Sequence, residues 1–290
     1  AGRFDTADGQ APDGLTLDVL AGECAAKLGL LASGAALTRD SVVTEAARSL
    51  LLAFMGMPAW TSPEDYQINA NPYRRSSMRM ARSLRAVGLA YDVLFDRLTE
   101  DERGRVRAGL LERGLQPTYE DLGESDALRW PNGFTVMAAG LGIGALAIHR
   151  ELAVECHVRR AVHCAVDFLD LHRPDGGMLE SYGYGQVGIE PIVGLLVALE
   201  RAGLKDAAGR PLSEHISGHP VFPRILDYLI AFTCPDGSKA VGFGDCAPIC
   251  ATGYAGYLCY MAWRGSSEAA WLLQQSRPPG YASRIRSDRA

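Results

Sequence analysis

The sequence predicts an all-α protein, built as an incomplete (α/α) toroid of about ten antiparallel helices. Apolar residues recur at helical spacing through most of the 290 residues, and runs of alternating polarity are scarce. The alternation of short and long connections between helices points to the architecture. We expect one domain over residues 1–290, with a polar lead-in at about 1–14 and a tail at about 276–290.

Capping residues separate the predicted helices. Thr99 stands before Glu100, Asp101 and Glu102, which is typical of a helix N-cap followed by an acidic first turn. Gly203 follows another apolar-periodic segment, as a C-terminal glycine does. The predicted helices are Leu15–Leu31, Arg39–Met55, Arg75–Arg97, Glu100–Thr118, Gly133–Ile148, Glu151–Leu171, Gly185–Ala202, Val221–Thr233, Gly253–Trp263 and Ser267–Gln275.

The connections differ according to the end of the bundle at which they lie. In a run of antiparallel helices every second connection lies at the same end. On one end the links are short, near residues 34, 98–99, 150 and 265, and only 203–220 is long. On the other end all are long and rich in aromatic and polar residues, at 57–73, 119–131, 172–184 and 234–248. We expect function at this second end; a superhelical repeat array is the alternative architecture, although no fixed period is present.

The composition excludes several partners. A net charge of -5 and a pI near 5.7 disfavour nonspecific binding to nucleic acid or to anionic membranes. No uninterrupted apolar run reaches the roughly 18 residues that cross a bilayer, so we expect neither a nucleic-acid nor a membrane partner. The oligomeric state stays open.

The seven cysteines predict neither a metal nor another cofactor. They are interpreted mainly as small buried apolar residues. Cys246 and Cys250 form a C-x3-C pair, but no second pair stands at zinc spacing. A disulfide within residues 246–259 is the alternative.

The segment RWPNG at 129–133 precedes a helix of small and apolar residues, FTVMAAGLGIGALAI. Such a helix has to be buried, and Asn132 lies at its start. The Asn132 amide either hydrogen-bonds a substrate carboxylate or caps the helix. Gly140, Gly142 and Gly144 follow no strand, so we interpret them as sites of close helix packing and not as a dinucleotide fingerprint.

Two further segments supply candidate binding groups. MPAWTSPEDYQINANPYRR at 57–75 offers Trp60 as a platform for a sugar ring, or as a plug for the end of the barrel. Tyr73 is a candidate in the same segment. Arg74 and Arg75 lie nearest the long loops and are expected to bind an anionic ligand. Most of the arginines of this region, which continue with Arg79, Arg82 and Arg85, are expected on a solvated outer face.

PDGGMLESYGYG at 174–185 concentrates turn residues, the Glu180 carboxylate and two tyrosines. Tyr182 or Tyr184 can transfer a proton. Asp245, in VGFGD, is expected to orient an arginine or a tyrosine across the cleft. Trp60, Asn132, Tyr182 and Tyr184 are predicted to converge.

Several segments, taken together, resemble the heparinase II/III-like polysaccharide lyases over roughly Leu15–Trp271. They are EAARSLLLAFMGMPAW, LAYDVLFDRLTEDERGRVRAGLLERGL, WPNGFTVMAAGLGIGALAI, PDGGMLESYGYG and CPDGSKAVGFGD. In this family an α/α toroid carries the catalytic site and a β-sandwich follows, and we expect no such β-sandwich domain here. The sequence departs from the family where Gly133 follows Asn132, since some members have a histidine there.

The resemblance implies β-elimination on a uronate-containing anionic polysaccharide. It places the carboxylate-neutralising amide at Asn132 and the catalytic tyrosine at Tyr184, in preference to Tyr182. Trp60 and Trp130 would stack on sugars. The resemblance also implies a periplasmic or secreted location, with a cytoplasmic one left open. The alternative functions are a glycoside hydrolase, drawing on Glu120, Asp121, Glu180, Asp236 and Asp245, and a noncatalytic glycan-binding domain.

Overall fold

A computed structural model describes residues 17–61, 76–124, 131–178, 181–234, 240–241 and 254–275. Within these ranges the regular structure is helical, and the only β-type pairing consists of two isolated bridges, Lys205 to Pro211 and Thr233 to Ala240. The all-α prediction is therefore confirmed for the described part of the chain.

Twelve α-helices occupy the described ranges. They are α1 Leu17–Thr38, α2 Ser41–Phe54, α3 Met78–Leu94, α4 Glu100–Leu110, α5 Gln116–Glu124, α6 Pro131–Ile148, α7 Glu155–Asp170, α8 Tyr182–Ala202, α9 Glu214–Ser217, α10 Val221–Phe232, α11 Ala255–Trp263 and α12 Ser267–Gln275. A 3-10 turn, Phe95–Arg97, follows α3, and a π turn, Leu111–Leu115, joins α4 to α5.

The first connection lies later than predicted, because α1 continues through Gly34 to Thr38. The chain then turns at Arg39, whose φ of 56° is in the left-handed region. Asp40 starts α2, since its side chain accepts hydrogen bonds from the amides of Val42 and Val43 at 2.7 and 3.2 Å. The link is thus a single turn with its own cap.

The predicted N-cap at Thr99 is confirmed. Its hydroxyl accepts a hydrogen bond from the Glu102 amide at 3.3 Å, and the Glu102 carboxylate accepts one from the Thr99 amide at 2.9 Å. This reciprocal pair is a capping box. Gly203 ends α8 with a φ of 66°, as its position after the apolar segment predicted.

Five helices run in the same direction, each packed on the next: α1, α3, α6, α8 and α11, here called the parallel row. Gly22 and Gly29 of α1 contact Arg79 and Ala86 of α3, in the same order along both helices. The contacts of α3 with α6 are ordered in the same way, with Ala81 against Gly140 and Gly88 against Ala147.

Helix α7 fixes the direction of α8 relative to α6. It starts beside the end of α6, where Ala161 contacts Gly142, and it ends beside the start of α8, where Phe168 contacts Gly188. Helices α6 and α8 are both antiparallel to α7 and hence parallel to each other. At the end of the row, Glu190 of α8 contacts the start of α11, and Glu200, further along α8, contacts the later part of α11. Helices α8 and α11 therefore run in the same direction.

The glycine run in α6 serves helix packing, as the sequence predicted. A Cβ on Gly140 would lie 2.6 Å from the Ala81 carbonyl oxygen. One on Gly142 would lie 2.4 Å from Leu195 of α8 and 2.9 Å from Ala161 of α7. Each glycine lets a different neighbour approach, so α6 lies at the centre of the packed helices.

Among the described helices, three are long and apolar enough to cross a membrane, by length and composition only. They are Val19–Thr38, Pro131–Ile148 and Tyr182–Ala202, of which 28%, 83% and 61% is buried inside the protein. This corrects the argument from uninterrupted apolar runs. Packing within the protein accounts for the apolar surface of the second and third helices, and less so for that of the first.

The interpretation of the cysteines as mostly buried is wrong for the described part of the chain. There only Cys164 is buried, Cys156 and Cys259 are exposed, and Cys24 and Cys234 are half-buried; all five are free thiols. Cys246 and Cys250 lie outside the described residues.

Candidate functional site

Asn132 is the second residue of α6 and lies within the helix, so the N-cap interpretation does not describe it. It is only 4% exposed. Its Oδ1 atom has no hydrogen-bond partner among the described residues. A buried polar atom without a partner costs roughly 1–3 kcal/mol, which makes this amide a candidate ligand-binding group.

The face of α6 that carries Asn132 is known from the helix geometry. Ile143 follows Asn132 by 11 residues, or close to three full turns, so both point in nearly the same direction from the helix axis. Ile143 lines a large cavity between the helices of the parallel row. Asn132 therefore lies on the cavity side of α6, about 16 Å further toward its N-terminus.

Tyr184 is the third residue of α8 and is 41% exposed. Ser181 starts the helix, and its hydroxyl accepts a hydrogen bond from the Tyr184 amide at 3.2 Å. The cap fixes the first turn of α8 and leaves the phenol ring toward solvent. Tyr184 is consequently available to a ligand.

Asn132 and Tyr184 lie at the same level of two neighbouring helices. Gly142 of α6 contacts Leu195 of α8. Asn132 precedes Gly142 by 10 residues and Tyr184 precedes Leu195 by 11, so both lie about 15 Å from that contact, toward the helix N-termini. The parallel course of α6 and α8 thus brings these two predicted residues to one end of the molecule.

Tyr182 does not share the exposure of Tyr184, because it is fully buried. Its ring packs edge-on against Tyr254 at a centroid distance of 5.2 Å and near Tyr228 at 6.2 Å. The Tyr254 hydroxyl donates a hydrogen bond to the Tyr182 carbonyl oxygen at 2.6 Å. Tyr182 is a core residue here, and the expectation that it meets substrate is corrected.

Trp60 is also buried, at 1% exposure. It packs against Phe54 of α2 at a ring-centroid distance of 5.1 Å, and both Trp60 and Leu84 press against Gly114 in the π turn. Leu84 lies level with Gly144, about three turns from Asn132 along α6. The structure thus places Trp60 in the core and not with Asn132 and Tyr184. The predicted sugar platform is wrong for this buried ring, which packs in the core.

The other predicted binding residues lie outside the described residues. They are Tyr73, Arg74, Arg75, Trp130, Glu180 and Asp245. Two of the five candidate hydrolase carboxylates are described. Asp121 is buried and accepts a hydrogen bond from the Ser76 hydroxyl at 2.6 Å, whereas Glu120 accepts one from Gln116 at 2.9 Å.

Three histidines have partners that account for their positions, whereas the buried Nε2 atom of His157 has none among the described residues. His215 contacts Asp206 at 2.9 Å and His219 contacts Asp170 at 3.1 Å. His172 is buried, its Nδ1 contacts the Phe168 carbonyl oxygen at 3.0 Å, and burial lowers the pKa of its imidazole. Over the described ranges, no cluster of three or more metal-binding side chains is present.

A cavity of about 840 Å³ opens between α1, α3, α6 and α8. Arg82 and Arg85 of α3, Arg150 and Arg201 lie on its wall, together with Asp92 and Glu151. The Glu151 carboxylate bonds Arg107 and accepts a hydrogen bond from the Tyr91 hydroxyl at 2.9 Å. The prediction of a solvated outer face is therefore wrong for Arg85, which is half-buried, whereas Arg82 lies on the same wall and is exposed.

The sequence shows why this cavity was missed. Arg82, Arg85, Leu89 and Asp92 share one face of α3 at spacings of three and four residues. Their mixed character matches a solvated surface equally well, and only the neighbouring helices reveal a wall.

Known protein-family models give no match to this chain, and a search of curated proteins finds no matching sequence.

Proposed function

We propose that this chain is the toroidal domain of a polysaccharide lyase that cleaves a uronate-containing glycan by β-elimination. The proposed architecture is an incomplete (α/α) toroid of five hairpins. Two features support it: five helices run in one direction with antiparallel helices returning between them, and four neighbours of the parallel row line a single cavity. A periplasmic or secreted location goes with this proposal.

The observation that carries the proposal is the pairing of Asn132 and Tyr184. An amide with a buried, unpartnered oxygen and an exposed phenol lie at the same level of two adjacent helices. Both stand at the start of their helices, where partial positive charge favours an anionic group. A uronate carboxylate accepts a hydrogen bond from the Asn132 side-chain NH2 there, and the unpartnered Asn132 oxygen accepts one from a sugar hydroxyl.

Each residue has a defined task in the proposed reaction. The Asn132 side-chain NH2 donates to the uronate carboxylate and stabilises the negative charge that develops when the C5 proton leaves. The C5–H electron pair forms the C4=C5 double bond, and the glycosidic oxygen leaves C4. The Tyr184 hydroxyl gives its proton to the glycosidic oxygen that leaves C4, and the phenol oxygen receives the C5 proton, so that the neutral phenol is restored.

The burial of Asn132 sets a condition on this reaction. At 4% exposure its amide has to be uncovered before a carboxylate can bind. Once a carboxylate is bound, the low local dielectric strengthens the amide contact relative to the same contact in water. Tyr184 needs no such rearrangement, because its ring is already exposed.

The test is an assay for unsaturated ends. Purified protein is incubated with alginate, heparan, chondroitin or hyaluronan fragments, and the ultraviolet absorbance of the new double bond is followed. We expect product from one of these glycans, a loss of about 100-fold or more in Tyr184→Phe, and a strong loss in Asn132→Ala. Tyr260→Phe, whose hydroxyl bonds Glu200 far from the start of α8, should leave the rate unchanged.

Other outcomes select other functions. Saturable binding with no unsaturated ends, unaffected by Tyr184→Phe, would identify a noncatalytic glycan-binding domain. New reducing ends without the absorbance would identify a hydrolase, which needs two carboxylates flanking the bond. Either result would overturn the lyase proposal.

A further inference from the structure

We propose that the cavity between α1, α3, α6 and α8 binds an organic anion with an apolar body, whose charged head group contacts Arg85 and Arg82. This inference does not rest on the proposed lyase activity. The cavity lies two to three helical turns away from the level of Asn132 and Tyr184, and neither residue lines it.

The size and the wall of the cavity suit a small molecule. Its volume of about 840 Å³ falls in the range of roughly 300–1,000 Å³ that is common for such sites. Leu30, Leu89 and Val197 face it and are 75%, 39% and 36% exposed. Exposed apolar side chains from three different helices that face one space favour a ligand that removes them from water.

Arg85 supplies a cation that has no partner. It is half-buried, and its guanidinium reaches across to α8, where it lies 3.8 Å from the position of a Cβ on Gly194. No described residue forms a hydrogen bond or ion pair with it. Burial lowers the pKa of the guanidinium and the neighbouring Arg82 lowers it further, whereas the charge of Glu190 raises it. An anion would relieve both effects.

Glu190, the acidic group whose charge acts on Arg85, already accepts hydrogen bonds from other residues. Glu190 lies one turn before Gly194 on α8, close enough that the charge of Arg85 lowers the pKa of its carboxyl, against the larger effect of burial. Its two oxygens accept hydrogen bonds from the amides of Gly256 and Tyr257, both at 2.9 Å. Glu190 therefore anchors the start of α11 and does not form an ion pair with Arg85.

The arrangement along the helix axis indicates the shape of the ligand. Arg85 is level with Gly194, and Val197 and Arg201 follow by three and seven residues on α8. These steps correspond to about 4.5 Å and about 10 Å. A head group at Arg85 is thus followed by an apolar stretch of about 10 Å, which matches a carbon chain of medium length. An aliphatic wall packs better against a carbon chain than against the flat face of a sugar ring. Sugar rings prefer aromatic side chains as platforms.

Binding is measured with 1-anilinonaphthalene-8-sulfonate, a sulfonate with an apolar body that fluoresces when it leaves water, and with decanoate as competitor. We expect saturable probe binding that decanoate displaces. Arg85→Met should weaken both ligands about tenfold or more, since it removes a charge-assisted hydrogen bond. Arg105→Met, on the exposed surface of α4, is the matched control and should leave both affinities unchanged.

Further arms separate this ligand class from others. Leu89→Ser should lower the affinity for decanoate. Decanoate should still displace the probe from this variant, but only at higher concentration. If Arg85→Met does not fold, as judged by circular dichroism, Arg82→Met replaces it, because Arg82 is exposed on the cavity wall. Four outcomes would each overturn the proposal. Decanol binds as tightly as decanoate, or inorganic sulfate displaces the probe as well as decanoate does. A uronate oligosaccharide displaces the probe better than decanoate, or the arginine variant keeps its affinity.

Discussion

Gly140 of α6 and Ala81 of α3 bring two helix backbones into direct contact. A Cβ on Gly140 would lie 2.6 Å from the Ala81 carbonyl oxygen and 2.7 Å from its Cα atom. Because these are backbone atoms, no side-chain rotation can relieve the overlap. The contact sets the spacing of the two helices beside the cavity.

Gly140→Ala is therefore expected to destabilise the protein. Helices α3 and α6 would have to separate, and overpacking of this kind costs about 1–3 kcal/mol. Gly104→Ala is the control, since a Cβ there would meet only the tip of Arg107 at 3.9 Å and alanine favours the helix by about 0.5–1 kcal/mol. Urea unfolding should show opposite signs for the two variants, and a shared sign would contradict the packing role.

Trp60→Ala is expected to lower the free energy of unfolding by about 3–5 kcal/mol, because a large buried side chain leaves a cavity. Trp263 is 71% exposed, so Trp263→Ala should change it by less than about 1 kcal/mol. Glycan binding by the milder variant Trp60→Phe should match that of the unmodified protein. Unaltered stability together with lost glycan binding would restore the sugar platform.

Thr99→Ala is expected to cost about 1 kcal/mol, since it removes the hydroxyl half of the capping box at the start of α4. Thr99→Ser retains the acceptor oxygen and should be close to neutral. Thermal and urea unfolding of both variants measure the difference. Equal destabilisation by alanine and serine would show that the methyl group, and not the hydrogen bond, matters.

Glu190 is expected to make stability depend on pH. Burial raises the pKa of its carboxyl, against the opposing effect of the Tyr257 and Gly256 amides and of Arg85. The folded state then binds the proton more tightly than the unfolded state, so the contribution to stability is complete below the ordinary pKa and is lost as pH rises through the folded pKa.

Glu190→Gln removes this titration. Unfolding free energies of the two proteins at about pH 4 and about pH 7 give the comparison. The stability of the unmodified protein relative to the variant should fall from the lower to the higher pH. A relative stability that rises over this interval would mean that the amide hydrogen bonds outweigh burial.

The helices were predictable where period and caps agree. Ser267–Gln275 was placed correctly, and Thr99 marked the start of α4. The end of α1 was not found, because Gly34 resembles a stop although it only admits Val43 of α2 at close range. The π turn at Leu111–Leu115 has no sequence signal; its Gly114 lies against Trp60 and Leu84, a tertiary contact that a local pattern does not contain.

The candidate site was partly predictable. Asn132 and Tyr184 were chosen from loops that precede apolar helices, and the structure places both at one end of the molecule. Tyr182 and Trp60 lie in equally decorated segments, yet an amphipathic ring suits a core as well as a cleft. Only the neighbours, Tyr254 and Phe54, show that these two rings are buried. Burial of such side chains depends on tertiary contacts that a local pattern does not contain.

The common direction of α1, α3, α6, α8 and α11 also polarises the molecule. Peptide dipoles add along each helix to roughly half a positive charge at its N-terminus and half a negative charge at its C-terminus. The helices of the parallel row begin at the end that holds Asn132 and Tyr184, whereas α7, which returns between α6 and α8, finishes there. Positive and negative partial charges therefore alternate between row and returning helix, and an anion approaching this end is attracted toward the row although the protein carries a net charge of -5.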